Sequence, residues 1–177
     1  MKIIQHKSAR ATRGKHLTLV WGIHSFPAGE ILVALSHEGI CWLGINCKFA
    51  DLQKNWPGAE FVEDEKLTGK AAREIAKLWP RDLGALSIPV VLYGTEFQLK
   101  VWRELLKIKP GATLTYARLA QKIGKPSAVR AVGSAVGKNT VSIVVPCHRV
   151  INTSGTKISY GWGPAVKIAL LKGEGVA

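Results

Sequence analysis

The stretch TYARLAQKIGKPSAVRAVGSAVG, residues 115–137, decides the fold of the second half of this chain. Thr115 offers the hydroxyl of a helix cap, and the pattern that follows predicts a helix from Tyr116 to Ile123, closed by Gly124. Ser127 stands where it can cap a second helix, Ala128 to Gly137, built almost wholly from small residues and Arg130. Two short helices joined by a tight Gly124-Lys125-Pro126 turn resemble a helix-turn-helix. Ala131, Gly133, Ser134 and Ala135 remove bulk from the second helix, so a backbone can come close to another surface. A nucleic-acid groove and a neighbouring helix both fit that requirement.

Charge separates the two surfaces. Lys and Arg total 25 against 12 acids, a formal balance of +13, which points to a polyanionic partner. Up to Tyr93 the chain holds 12 basic and 9 acidic residues; after it come 13 and 3, so the second half is the expected polyanion binder. The 177 residues, 47% of them hydrophobic, suffice for a sizeable core in one domain or two small ones. Cys41, Cys47 and Cys147 cannot all pair, which suggests a reducing, cytoplasmic setting. No apolar run approaches the roughly 20 residues of a membrane span, so no membrane partner is expected. The first fifteen residues carry Lys2, Lys7, Arg10, Arg13 and Lys15 without an acid. They read as a solvated basic tail in preference to a DNA-touching arm or a transit peptide.

Upstream of the helix-turn-helix the patterning changes. Leu17, Leu19, Trp21 and Ile23 alternate with less apolar neighbours as in a half-buried strand. Ile31 to Leu35 and Ile40 to Ile45, separated by Ser36-His37-Glu38-Gly39, form a hairpin pattern. Phe49 to Trp56 and Leu67 to Trp79 read as helices, and Ile88 to Leu92 as a further strand. Thr95 can cap a helix carrying Phe97, Val101, Leu105 and Ile108, ending near Pro110-Gly111. The predicted fold class is α/β: a small N-terminal α/β domain with an antiparallel sheet over residues 1–90, then a mostly helical C-terminal domain over 91–177.

Ser142-Ile143-Val144-Val145 reads as a buried strand that ends at Pro146, and Cys147-His148-Arg149-Val150 follows. A thiol attacks as the thiolate, so a reactive cysteine needs a base or a positive neighbourhood. His148 could supply both. Adjacent side chains on extended backbone diverge, which favours a bridging water between them, and a third group should orient the imidazole. A lone Cys-His pair is more often an inert buried cysteine beside a structural histidine.

The string Val144-Val145-Pro146-Cys147-His148-Arg149-Val150-Ile151 resembles the active-site signature of the O6-alkylguanine-DNA alkyltransferases. The resemblance extends in order from about Gly94 to Gly175. It takes in Phe97 to Trp102, Leu114-Thr115-Tyr116, Gly124-Lys125-Pro126, Arg130-Ala131-Val132-Gly133, Lys138-Asn139, Tyr160-Gly161-Trp162-Gly163, Lys167 to Leu171 and Glu174.

That resemblance implies a partner, double-stranded DNA containing O6-alkylguanine, and a reaction: one irreversible transfer of the alkyl group to Cys147, with no cofactor. O4-alkylthymine is a further candidate substrate. The lesion must leave the base stack to be reached. By resemblance Cys147 is the nucleophile, His148 its base through water, Glu174 the group that orients His148, and Asn139 the brace of this network. Tyr116 and Arg130 are the flipping residues, on a helix-turn-helix whose Ala131, Gly133 and Ser134 enter the minor groove. Val150, Tyr160 and Gly161 belong to the base pocket, and a monomer is expected in the absence of DNA.

Some members of the family hold zinc in the N-terminal domain. Here His24, His37, Cys41 and Cys47 lack recognisable ligand spacing, so no metal is predicted. Val166 replaces a common arginine and Ser159 a common glycine, changes that bear on loop packing and substrate range. Two other readings compete: a non-catalytic binder of alkylated DNA, which retention of Cys147 disfavours, and a thiol hydrolase, which the basic helix-turn-helix disfavours.

Overall fold

Leu32 and Ala34 face one side of a sheet while Ile31 and Val33 face the other, and all four are buried. Apolar residues on both faces require two covering layers, and the remainder of the chain supplies them. In the computed structural model, which describes residues 1–7, 14–152 and 160–176, the central sheet has six strands. They are β1 (Ile3–Lys7), β2 (Thr18–Phe26), β3 (Gly29–Ser36), β4 (Gly39–Ile45), β5 (Glu60–Glu63) and β6 (Val90–Gly94), in spatial order β1-β6-β4-β3-β2-β5. A short second pair, β7 (Leu114–Thr115) and β8 (Val150–Ile151), lies in the C-terminal half.

The hairpins expected from the alternating stretches form the antiparallel meander β2-β3-β4, with Trp21 opposite Ala34 and Ala34 opposite Trp42. Gly39 turns the second hairpin at φ +144°, and a Cβ there would lie 2.2 Å from the Pro89 carbonyl oxygen, so both backbone and space call for glycine. The sheet as a whole is mixed: β5 joins β2, β6 joins β4 and β1 joins β6, all in parallel. The parallel partners follow from the connections. Helix α1 (Phe49–Asn55) carries the chain from β4 to β5, and α2 (Glu65–Leu78) from β5 to β6. A crossover of that length returns a strand in the same direction, which a tight turn cannot do. Strand β5 has no fully buried residue and β1 is nowhere fully buried, so neither shows the alternation that marks a strand in sequence. Ile3–Lys7 is thus a strand where a solvated tail was expected, while positions 8–13 of that basic opening lie outside the described residues.

Helix α3 (Glu96–Leu105) begins in a reciprocal cap, Thr95 Oγ1 accepting from the Gln98 amide at 3.3 Å and Gln98 Oε1 from the Thr95 amide at 2.9 Å. Helices α4 (Tyr116–Lys122) and α5 (Val129–Gly137) form the expected helix-turn-helix, Thr115 capping the first. Ser127 does not cap the second. The Ala128 amide instead closes a turn onto Lys125 O at 2.9 Å, which keeps Ala128 at the helix boundary. Helix α6 (Pro164–Gly173) is the last helix among the described residues.

One continuous core runs from Val33, Ile45 and Leu92 in the sheet through Trp102, Leu119 and Val136 to Val145 beside the cysteine. A second cluster, including Leu19, Trp42, Trp56 and Tyr93, lies under α1 on the opposite face of the sheet. The stretch Ser142–Val145, expected as a strand, is a buried turn: only Val141 bridges to a strand, at Leu43, and Val145 N donates back to Val141 O at 2.9 Å. Consecutive buried positions carry no periodicity, so strand and turn read alike. Ile143 holds φ +68° there, a conformation that strains a β-branched residue. Leu43 fixes the turn by donating to Thr140 O at 2.8 Å and accepting from Ser142 N at 3.0 Å.

Among the described residues no helix is long and apolar enough to cross a membrane. Trp102, fully buried, packs its ring against Gly94 of β6 and donates Nε1–H to Ala135 O of α5 at 2.9 Å, so it joins sheet and helix-turn-helix. Trp102→Phe removes one donor to that carbonyl, another being Lys138 N–H at 3.2 Å, and should cost about 0.5–1.5 kcal/mol, read as a lowered midpoint in urea unfolding with an unchanged slope.

Candidate active site

Pro146 ends the buried turn, and Cys147–Arg149 wind into a single 3-10 turn leading into β8. Strand β8 pairs with β7, Leu114 opposite Val150 and Thr115 opposite Ile151. Thr115 is the cap of α4, so this short ladder brings the cysteine turn beside Tyr116, the first residue of that helix. Topology thereby unites two segments about thirty positions apart in the chain.

The Cys147 side chain forms part of the wall of a cleft of about 480 Å³, together with Tyr116, Gly133, Asn139, Tyr160 and Gly161. Asn139 is held on both ends of its amide. Its Oδ1 accepts from Val141 N at 3.1 Å, and its Nδ2 lies 2.8 Å from Val145 O and 3.2 Å from Cys147 Sγ. The Tyr160 hydroxyl lies 3.7 Å from the same sulfur. Burial, reinforced by the neighbouring sulfur, raises the Tyr160 hydroxyl well above the ordinary tyrosine range, so it remains a neutral phenol. Tyr116 is raised by the same two causes in the same order.

His148 is absent from the cleft wall. Its side chain has no exposed surface, and Nε2 sits 2.8 Å from Glu174 Oε1. Glu174 is equally enclosed and takes two further bonds from Arg149, Nε to Oε2 at 2.9 Å and Nη2 to Oε1 at 2.8 Å. Arg149 also donates through Nη1 to the Ile108 carbonyl. Burial alone would raise the Glu174 pKa, but bonds from His148 and Arg149 outweigh it and hold the carboxyl at about 2. Burial lowers His148 below its ordinary 6.5 in spite of the Glu174 hydrogen bond. A neutral imidazole beside an ionised carboxylate must donate from Nε2, which leaves Nδ1 as the basic nitrogen. Nδ1 is buried and has no hydrogen-bond partner among the described residues.

The remaining expected site residues divide into two places. Arg130, Ala131 and Ser134 are exposed on α5 and are absent from the cleft wall. Gly133 faces Tyr116, where an added Cβ would lie 3.8 Å from the ring, an ordinary contact distance. Val150 is fully buried, and its carbonyl accepts from Lys167 Nζ at 2.5 Å. Lys167 is 4% exposed; burial lowers its pKa below the ordinary 10.5, and the nearby Cys147 opposes that change. Arg149 and Lys167 were not singled out from sequence because a cation reads as solvated until the fold encloses it.

The N-terminal half also reaches the cleft. Trp42 of β4 meets Trp162 edge to face at 5.9 Å, Trp162 donates Nε1–H to Ser142 Oγ at 2.6 Å, and Asp51, Lys54 and Asn55 of α1 line the same space. Burial pushes the thiol of Cys41 up to about 12 and that of Cys47 to about 11, so both stay protonated. Among the described residues no three histidines, cysteines or acids gather into a metal-binding group.

The buried charges set an acid dependence. Glu174, depressed from 4.5 to about 2, contributes stability that is present above about 4.5 and lost as pH falls towards 2. His148, also depressed, is neutral in the folded state while the unfolded chain binds a proton, so its loss begins nearer 6.5. Glu174→Gln should therefore be less stable than the parent at pH 7, with the gap closing below pH 4.5; equal gaps at both pH values in urea titrations would contradict the ion-pair assignment.

Comparison with known proteins agrees with this geometry. The pattern of the family "6-O-methylguanine DNA methyltransferase, DNA binding domain" matches residues 96–176. The bifunctional transcriptional activator/DNA repair enzyme Ada of Escherichia coli is 38% identical over 166 residues, covering 91% of this chain and 47% of Ada, so the chain spans about half of that relative. The inducible methylated-DNA--protein-cysteine methyltransferase of Bacillus subtilis is 38% identical over 159 residues, covering 87% of this chain and 89% of that protein. The crystal structure of Mycobacterium tuberculosis OGT in complex with DNA superposes with a TM-score of 0.70 at 32% identity, covering 88% of this chain and 92% of that one. A cysteine turn braced by an asparagine and backed by a His-Glu pair, beside a helix-turn-helix, accompanies likeness along nearly the whole chain: the protein belongs to the methylated-DNA--protein-cysteine methyltransferase family.

Proposed function

We propose that this protein repairs DNA directly, taking the alkyl group from O6 of an alkylated guanine, or O4 of an alkylated thymine, onto Cys147 once per molecule. The observation that carries the reading is the Cys147 sulfur in the cleft wall, 3.2 Å from the Asn139 amide, with the His148–Glu174 pair enclosed behind its turn. Residues 1–90 act as the scaffold and 91–177 as the DNA-binding and reactive domain, and the protein is a monomer in the absence of DNA. The exposed small residues Ala131 and Ser134, beside Arg130, suit close approach of α5 to the minor groove. Tyr116 and Arg130 drive extrusion of the nucleotide, Tyr116 from the cleft side and Arg130 from the outer side of the motif.

The thiol proton passes through a water to His148 Nδ1, and Glu174 stabilises the imidazolium that results. The sulfur then attacks the alkyl carbon in line. The C–S bond forms as the C–O bond breaks, and the guanine oxygen keeps the bonding pair. The Tyr116 hydroxyl donates a hydrogen bond to the departing base, and the proton held by His148 ends on the guanine. Asn139 steadies the sulfur, while Tyr160, Gly161 and the backbone at Val150 bound the base pocket. A thioether has no leaving group that water could displace under these conditions, so the product is permanent. A purely binding role for the same DNA is disfavoured because it has no use for a thiol braced in this way.

Exposure to duplex DNA carrying O6-methylguanine should add one methyl group to the peptide containing Cys147, and Cys147→Ser should gain none by mass spectrometry. Persistent demethylation of the DNA by that variant would refute the assignment. Tyr116→Ala and Arg130→Ala should each slow transfer from duplex far more than transfer from the free alkylated base; equal losses on both substrates would remove them from extrusion.

A further inference from the structure

The cleft that holds Cys147 has a wall that the helix-turn-helix does not supply. It is built by α1, whose Asp51, Lys54 and Asn55 line the space from the N-terminal half. The anchoring of α1 is firm: Leu52 and Trp56 are fully buried under it, in the cluster on the far face of the sheet. The helix is thus fixed relative to β4, and β4 is fixed to the cysteine turn through Leu43. Lys54 is exposed, and so is Lys138, which lines the same cleft at the C-terminal cap of α5. Neither makes an ion pair among the described residues. The one acid on this wall, Asp51, has Oδ2 engaged 2.9 Å from the Lys48 amide, and Asn55 Nδ2 is turned to Asp51 O at 2.9 Å.

Two unpaired lysines on separate elements therefore stand on the cleft that a nucleobase has to enter. A base does not enter alone; its sugar and both flanking phosphates remain attached to the duplex. With α5 against the groove, the nucleotide enters a cleft lined in one part by α5 and its cap and in another by α1. We infer that Lys54 contacts a backbone phosphate of the lesion-bearing strand beside the extruded nucleotide, making α1 a second DNA-contacting surface contributed by the N-terminal half. This inference rests on the proposed reaction with DNA and gives the first half of the chain a part in substrate engagement. It also accounts for an open lysine at a site where an acid partner for it would repel the phosphate.

The test is the rate of methyl transfer from duplex DNA, at sub-saturating concentrations and across a series of salt concentrations, for the wild type, Lys54→Gln and Lys54→Arg. One lost phosphate contact lowers the salt dependence by about one unit of slope in a log–log plot. Lys54→Gln should lose on the order of fivefold in rate at low salt, a loss that shrinks as salt rises, and its slope should fall by about one. Lys54→Arg, which keeps the charge, should restore the slope. A Lys54→Gln protein with wild-type rate and slope would overturn the inference. So would a slowed variant whose slope is unchanged, since that marks a packing role. If the wild type leaves Cys147 unmodified, the reaction itself fails, an outcome that these slopes distinguish from failure at Lys54 alone.

Discussion

One enclosed carboxylate holds the reactive region together. Glu174 follows the last turn of α6 and receives His148 and Arg149, consecutive residues of the cysteine turn, while Arg149 reaches on to the carbonyl of Ile108 beyond α3. Three segments distant in sequence are joined at a single charge. Such a charge is costly to bury and tolerable only when its partners are all present, so loss of any one of them leaves an uncompensated ion in the interior. The same pairing fixes the imidazole: with Nε2–H committed to Glu174, only Nδ1 remains to accept a proton. In the proposed reaction, stability and reactivity thus share one set of atoms.

Around that anchor the three cysteines diverge in chemistry because they diverge in surroundings. Cys41 lies inside the sheet, its sulfur 3.5 Å from the Ala34 carbonyl, and is raised by burial; Cys47 is raised by burial and by Asp51. Cys147 has the Asn139 amide 3.2 Å from its sulfur and an open cleft before it. The small residues of α5 serve two purposes on two faces. Gly133 faces Tyr116 across an ordinary contact distance, whereas Ala131 and Ser134 leave the outer face low.

Much of this was legible in the residues themselves. The alternation from Leu17 to Ile23 and the two apolar runs after it gave the meander, and Thr95 and Thr115 gave the starts of α3 and α4. The grouping of Cys147, His148, Asn139 and Glu174 came from resemblance, because no spacing rule brings residues 139 and 174 to one turn. Strands β1 and β5 escaped notice since neither buries a full alternate face. Ser142–Val145 was misread because a wholly buried turn has no period. Arg149 and Lys167 were hidden for a related reason: their enclosure depends on Ile108 and Val150, contacts made 41 and 17 positions away. The wall formed by α1 is likewise a product of β4 pairing with the cysteine turn, a tertiary fact without a local signature.

The proposed reaction ends on a sulfur that accepts a group and keeps it. The most direct measurement is a count of radiolabelled methyl groups retained by a known amount of folded protein, given an excess of duplex DNA with labelled O6-methylguanine. A plateau at one methyl per chain, all of it on Cys147, is the predicted result. Continued release of label into solution, or a plateau at zero, would contradict it.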